Sequence, residues 1–197
     1  MKVAINGFGR IGKLVFRSFL ERKIKGIDIA VINELGSLKS SQHLLEFDST
    51  HGRLPYKIKS NSKGLEYKNK KIIFTSERNE NNLPWKKYNI DVILDCSGAY
   101  TSKEKAKKHL KAGAKKVIIS APTTNADITI VQGVNNKKLE KKHMIISNGS
   151  CTTNCLAPVA MILDQNLKIQ SGFMTTIHSF TGDQRTVDQE HSDLRRA

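Results

Sequence analysis

The chain of 197 residues carries 33 Lys and Arg against 18 Asp and Glu, a formal charge of +15, with 38% apolar and 26% charged residues. That balance excludes a disordered chain, and the absence of any run near the ~18 apolar residues a helical span needs excludes a membrane-crossing helix in this stretch. The length suits one full domain with part of a second.

The basic residues are scattered (Lys57, Lys63, Lys70, Lys103, Lys107) with no aromatic platform among them. The charge therefore reads as a lysine-rich surface with some bias toward anionic ligands, and nucleic acid is not expected as the primary partner. Three cysteines, Cys96, Cys151 and Cys155, are too few and too odd in number for a disulfide framework. They suit a reducing compartment and leave room for one reactive thiol. No signal segment opens the chain, so the expected location is cytoplasmic.

The opening reads as a strand over 2–5, a glycine turn over 6–12 and a helix over 13–22, with Leu14, Val15, Phe16, Phe19 and Leu20 at near-helical spacing. Gly26 breaks that pattern, and the β-branched run 27–32 predicts a buried parallel strand, completing a βαβ unit. A helix is expected over 37–47, and short strands with polar turns over 56–75, among them 56–59 and 71–74. A buried strand follows over 91–96, then a helix over 102–112 closed by Gly113, and strands over 116–120, 128–131 and 144–147. A further helix starts at Cys151 and contains Pro158, which would kink it or shift its hydrogen bonding. Residues 173–178 are β-prone, and the polar tail beyond them has no closing element. The alternation of strands and helices predicts a doubly wound α/β domain over 1–150, with ligands at the carboxyl ends of its strands, and the start of a second domain over 151–197.

Gly7, Gly9 and Gly12 form G-x-G-x-x-G between a strand and a helix, the context the motif needs. The first glycine permits the turn, the second lets backbone approach a pyrophosphate, and the third lets helix pack on strand. The helix start then offers N–H groups and a positive dipole end to phosphate. Glu34 lies about 20 residues further on, where a carboxylate binds the ribose 2′-hydroxyl. It would repel a 2′-phosphate, which favours NAD over NADP.

Cys151 stands after a strand and at a helix start, where the dipole favours the thiolate, the nucleophilic form. Cys155 and Cys96 read as small buried hydrophobes, and no metal-ligand spacing is present. His178 ends the β-prone run 173–177. A histidine at a strand end serves structure as readily as catalysis, but with a helix-start cysteine in the same chain it is a candidate general base.

The opening 5–12, the stretch Ser147-Asn148-Gly149-Ser150-Cys151-Thr152-Thr153-Asn154 and the stretch 175–185 together resemble the phosphorylating glyceraldehyde-3-phosphate dehydrogenase family. Gly149 replaces the family's alanine beside the nucleophile. The resemblance implies a Rossmann-type NAD-binding domain followed by the start of an α+β catalytic domain. It implies that Cys151 is acylated, that His178 activates it, and that Arg10 and Ile11 contact the pyrophosphate through backbone. Glu34, aspartate in most of the family, falls at the ribose. Arg78, Ser97, Gly98 and Ser120 fall along the dinucleotide groove, and Ser150, Thr152, Thr181 and Asp183 near two anion sites.

The implied reaction takes D-glyceraldehyde 3-phosphate, NAD and inorganic phosphate to 1,3-bisphosphoglycerate through a thioester, in glycolysis or gluconeogenesis, by a homotetramer. The family's chains continue past residue 197, so a polypeptide of this length is expected to be inactive alone. The sister enzyme erythrose-4-phosphate dehydrogenase shares the thiol chemistry and is the alternative.

Overall fold

The computed structural model describes residues 1–179 and 181. The chain divides into two compact units, Met1–Met161 and Ile162–Ala197. In the first, β1 (Lys2–Asn6) leads through the glycine turn into α1 (Arg10–Glu21), then β2 (Asp28–Asn33) and α2 (Leu38–Glu46). A small hairpin, β3 (Phe47–Asp48) with β4 (Gly52–Arg53), precedes β5 (Lys59–Asn61), β6 (Gly64–Tyr67) and β7 (Lys70–Thr75). Then come β8 (Val92–Asp95), α3 (Lys103–Lys111), β9 (Lys116–Ile119), β10 (Ile128–Thr129) and β11 (Ile145–Ser147). The helix α4 spans Cys151–Leu167 and crosses from the first unit into the second.

Among the described residues nine strands form one sheet, in the order β10-β11-β9-β8-β1-β2-β7-β6-β5. Pairing is parallel from β10 to β7 and antiparallel from β7 to β5. From β1 the chain builds outward to β2 on one side and later to β8 on the other. The order therefore reverses at β1, and a doubly wound sheet opens its ligand crevice at that reversal.

Strand alternation divides the core. Ala4, Val31, Ile93, Val117 and Ile145 face the layer of Trp85 and Ala106, while Ile5, Ile29 and Ile32 face Phe16, Leu20 and Leu45 from α1 and α2. Beside α1 the second face opens into an apolar hollow of about 610 Å³, walled by Leu14, Val15, Phe19, Leu94, Ile118 and Ile146.

Most expected elements form, with ends moved by a few residues. The first helix begins at Arg10 rather than Lys13, so Gly12 lies in its first turn. Ser37 and Ser102 cap α2 and α3, accepting from the backbone N–H of Ser40 and Lys105. The strand expected over 56–59 starts only at Lys59, where β6 supplies a partner; β6 falls within the stretch expected to hold short strands, and the β3–β4 hairpin was not expected. Pro158 lies inside α4, which continues through it to Leu167. In the second unit residues 173–178 form no strand despite their β propensity, because a strand exists only where a partner takes up its backbone hydrogen bonds.

Candidate dinucleotide cleft and thiol elbow

The carboxyl ends of β1, β2 and β8 wall a cleft of about 320 Å³. Each motif glycine does a different job there. Gly7 has φ +85, and a Cβ on it would lie 2.5 Å from the backbone of Ser97. Its N–H donates to the Asn33 carbonyl at 2.9 Å, and the N–H of Cys96 donates to the Asn6 carbonyl at 2.7 Å, so the turn is bound to both neighbouring strands. Gly9 is the N-cap of α1 at φ −71, offers no side-chain cap, and would place a Cβ in open space. The helix's first N–H groups thus face room that a phosphate could fill. A Cβ on Gly12 would meet the Gly7 carbonyl oxygen at 2.2 Å and the Ile5 side chain at 3.3 Å, so only glycine lets α1 sit this close to β1.

Glu34, just past β2, faces the turn across the cleft. Its Oε2 accepts from the Phe8 N–H at 2.5 Å and its Oε1 from the Gly36 N–H at 2.9 Å. The Lys13 ammonium donates to the Phe8 carbonyl oxygen; burial lowers its pKa, and the nearby Glu34 charge partly offsets this. Gly7, Gly9, Glu34, Arg78 and Ser97 all line the cleft. Arg10 and Ile11 open α1, and the Arg10 guanidinium is bound to Asp48 at 3.0 Å. Gly98, at φ +73, follows Ser97 outside the lining, and Ser120 stands outside it at the end of β9, its N–H donating to the Asp95 carbonyl.

Sequence reading missed Asn6, Asn33, Leu35, Glu77, Cys96, Ala99 and Tyr100, which complete the walls. The two asparagines had a usable signal, since each is a polar residue ending an apolar strand. They are buried and joined, Asn33 Nδ2 donating to Asn6 Oδ1 at 2.9 Å. Asn33 also accepts from the Thr75 hydroxyl and the Glu77 N–H, holding the far wall to the floor. Burial pushes the Cys96 thiol up to about 11, partly countered by a hydrogen bond with Ser120, so this sulfur stays protonated at neutral pH.

A second constellation turns β11 into α4. The buried Ser147 hydroxyl donates to the Ala121 carbonyl at 2.8 Å and accepts from the Gly149 N–H at 3.0 Å. The Asn148 N–H donates to the Ile119 carbonyl at 2.9 Å, and Gly149 turns the chain at φ +67. Ser150 then caps the helix, its Oγ accepting from the Thr153 N–H at 2.9 Å. Asn154 Nδ2 reaches back to the carbonyls of Asn148 at 2.6 Å and Ser150 at 2.9 Å. Five residues of the motif thus build a rigid elbow that presents Cys151, exposed, as the first residue of α4. Thr152 follows, half-buried. Cys155, expected to be buried, is exposed instead, because α4 has no buried residue.

His178 and Thr181 lie in the second unit and are exposed; the His178 Nδ1 is hydrogen-bonded to the Ser179 carbonyl. Asp183 lies outside the described residues. No helix among the described residues is long and apolar enough to cross a membrane.

The cleft fits NAD on its own geometry: open space over Gly9, uncapped helix N–H groups, and a carboxylate at the end of β2. The comparisons agree. Residues 1–103 match the family model described as glyceraldehyde 3-phosphate dehydrogenase, NAD binding domain, and residues 150–197 match the one described as glyceraldehyde 3-phosphate dehydrogenase, C-terminal domain. The chain is 49% identical over 197 residues to glyceraldehyde-3-phosphate dehydrogenase of Xanthobacter flavus, covering all of this chain and 59% of that protein. It is 51% identical over 198 residues to the enzyme of that name from Zymomonas mobilis, covering all of this chain and 59% of the relative. For the one from Geobacillus stearothermophilus the identity is 50% over 198 residues, again with all of this chain and 58% of the relative. The chain thus spans about three-fifths of the length of these relatives. It belongs to the glyceraldehyde 3-phosphate dehydrogenase family, and its amino-terminal part is a Rossmann-type fold that takes NAD as cofactor.

Proposed function

We propose that this chain supplies the cofactor cleft and the nucleophile for the NAD-dependent, phosphorylating oxidation of D-glyceraldehyde 3-phosphate. The observation that carries the reading is the elbow, which exposes Cys151 at the head of a 17-residue helix in a fold that also builds a dinucleotide cleft. The helix dipole favours the thiolate there.

In this reading residues 1–150 form the NAD-binding domain and 151–197 open the catalytic one. The Cys151 thiolate attacks the aldehyde carbon, giving a thiohemiacetal whose oxygen the Cys151 backbone N–H helps to hold. His178, having taken the Cys151 thiol proton, donates it to that oxygen and accepts the hydroxyl proton back as the carbonyl re-forms. NAD, when bound, takes up the hydrogen and two electrons that turn the thiohemiacetal into a thioester. Inorganic phosphate then attacks the thioester carbon, Cys151 leaves as thiolate, and 1,3-bisphosphoglycerate is released. Ser150, Thr152, Thr181 and Asp183 are the residues we assign to the substrate and phosphate anions. Gly7, Gly9, Gly12, the backbone of Arg10 and Ile11, Glu34, Arg78, Ser97, Gly98 and Ser120 are assigned to NAD. A cytoplasmic homotetramer belongs to the same reading.

The test is alkylation by iodoacetamide at pH 7, with peptide mapping. Cys151 is expected to react at least tenfold faster than Cys155, an exposed thiol one helical turn along that lacks the helix-start position. Equal rates at the two sulfurs would defeat the thiolate assignment.

A further inference from the structure

Beneath the cleft lies a chain of buried polar groups that the thiol chemistry does not use. Trp85, His109 and Asp95 are 0%, 0% and 1% exposed. The Trp85 indole donates to His109 Nδ1 at 3.0 Å, and His109 Nε2 stands 3.0 Å from Asp95 Oδ2. An indole N–H can only donate, so Nδ1 must be the bare acceptor and Nε2 must carry the proton. His109 is therefore the neutral Nε2–H tautomer, donating to the carboxylate.

Asp95 gathers more. Its Oδ2 also accepts from Asn6 Nδ2 at 2.7 Å, and its Oδ1 accepts from the N–H of Ser97 at 3.2 Å and its hydroxyl at 2.9 Å. Ser97 is the residue against which Gly7 is pressed, so a shift of Asp95 has no slack to absorb it before it reaches the glycine turn. On its other side His109 packs against Tyr100, ring centroids 4.2 Å apart and planes tilted by 41°, and Tyr100 is itself a wall of the cleft.

We propose that His109 is a positioning residue for the NAD cleft, held as the Nε2–H tautomer between Trp85 and Asp95 and fixing Ser97 and Tyr100 on the cleft's wall. The proposal rests on NAD occupying this cleft and is independent of the thiol chemistry.

The experiment combines imidazole ¹H–¹⁵N correlation spectra of the ¹⁵N-labelled chain with NAD titration calorimetry of variants. The spectra should show His109 as the Nε2–H tautomer. The variant His109→Leu should bind NAD about tenfold more weakly, since it leaves the buried carboxylate and indole short of partners. His109→Gln, whose amide offers a donor and an acceptor, should restore affinity to within about threefold. An Nδ1–H tautomer, or a folded His109→Leu with wild-type affinity, overturns the proposal. Where His109→Leu does not fold, Trp85→Phe keeps a ring and removes the indole donor. A mixture of tautomers with weakened NAD binding then supports the proposal, and a mixture with unchanged binding overturns it. Failure of the wild-type chain to bind NAD removes the cleft assignment itself, a distinct result.

Discussion

Gly7 and Ser97 stand so close that a Cβ on the glycine would lie 2.5 Å from the serine's Cα. The turns that follow β1 and β8, strands that are neighbours only in the folded sheet, thus close the floor of the cofactor cleft with no room for a methyl group. Gly9, two residues on, has nothing within 4 Å of the same imagined atom.

That contrast predicts opposite phenotypes. Gly7→Ala combines a left-handed φ with a backbone clash and should cost about 3 kcal/mol of stability. Gly9→Ala should fold with stability within about 1 kcal/mol of the parent. It should nevertheless bind NAD on the order of tenfold more weakly, because its methyl takes the phosphate's space. Urea unfolding and NAD titration of both variants check the pair; a Gly9→Ala chain that binds NAD like the parent contradicts it.

Glu34 should set the choice between NAD and NADP. With its carboxylate hydrogen-bonded to the Phe8 and Gly36 N–H groups at the cleft edge, it presents negative charge where a 2′-phosphate would arrive. Glu34→Gln should narrow the affinity ratio of NAD to NADP by about tenfold, a change of ~1.4 kcal/mol. An unchanged ratio would place the ribose elsewhere.

Asp127 ties α3 to β11, the strand that delivers the elbow. Its Oδ1 pairs with Lys103 at 2.5 Å, and its Oδ2 accepts from the N–H groups of Met144 at 2.7 Å and Ile145 at 2.9 Å. Desolvation opposes ionisation, but Lys103 and the two N–H groups outweigh it and hold the carboxyl at about 2, below the ordinary 3.8. The folded pKa lies below the unfolded one, so this stabilisation is present above about pH 4 and is lost as pH falls toward 2. Asp48 behaves alike: the N–H groups of His51 and Thr50, and then Arg10, hold it at about 2. Asp127→Asn should therefore flatten part of the fall in stability between pH 4 and 2. Urea midpoints across that range are the measure, and parallel profiles for parent and variant would show that Asp127 contributes nothing there.

The three thiols should separate by reactivity. Cys96, half-buried and held at about 11, should stay unmodified at pH 7–8 until denaturant is added, while Cys151 is alkylated in the native chain. Native labelling of Cys96 at a rate matching Cys151 would mean that the cleft floor opens readily.

The apolar hollow beside α1 should bind a hydrophobic dye, with enhanced fluorescence at neutral pH. Ile118→Lys, on its wall, should lower that signal while leaving NAD affinity within about twofold, since the cleft lies at the strands' carboxyl ends. An equal signal from the variant would place the dye elsewhere.

What could be read along the chain was local: strand and helix periods, the glycine turn and the cysteine at a helix start. Those features are set by residues a few positions apart, and G-x-G-x-x-G and the elbow motif carry their geometry within a single stretch. The β3–β4 hairpin was missed because its strands are only two residues each, too short to show an alternation, and the β-prone run before His178 formed no strand because no neighbouring strand takes up its backbone hydrogen bonds. The exposure of Cys155 was likewise out of reach, because burial depends on what packs over a helix rather than on the helix itself.

The sequence by itself determined the fold class, the cofactor class and the identity of the candidate nucleophile, since each rests on short-range stereochemistry. Only the tertiary structure decided which polar groups share the cleft's floor. Asn6, Asp95 and His109 look unremarkable in isolation, being 89 positions apart between the first two and 14 between the last two. Parallel pairing of β1 with β8 and the packing of α3 bring them within hydrogen-bond reach. Buried polar groups must find partners wherever the fold provides them, and no local pattern states where that will be.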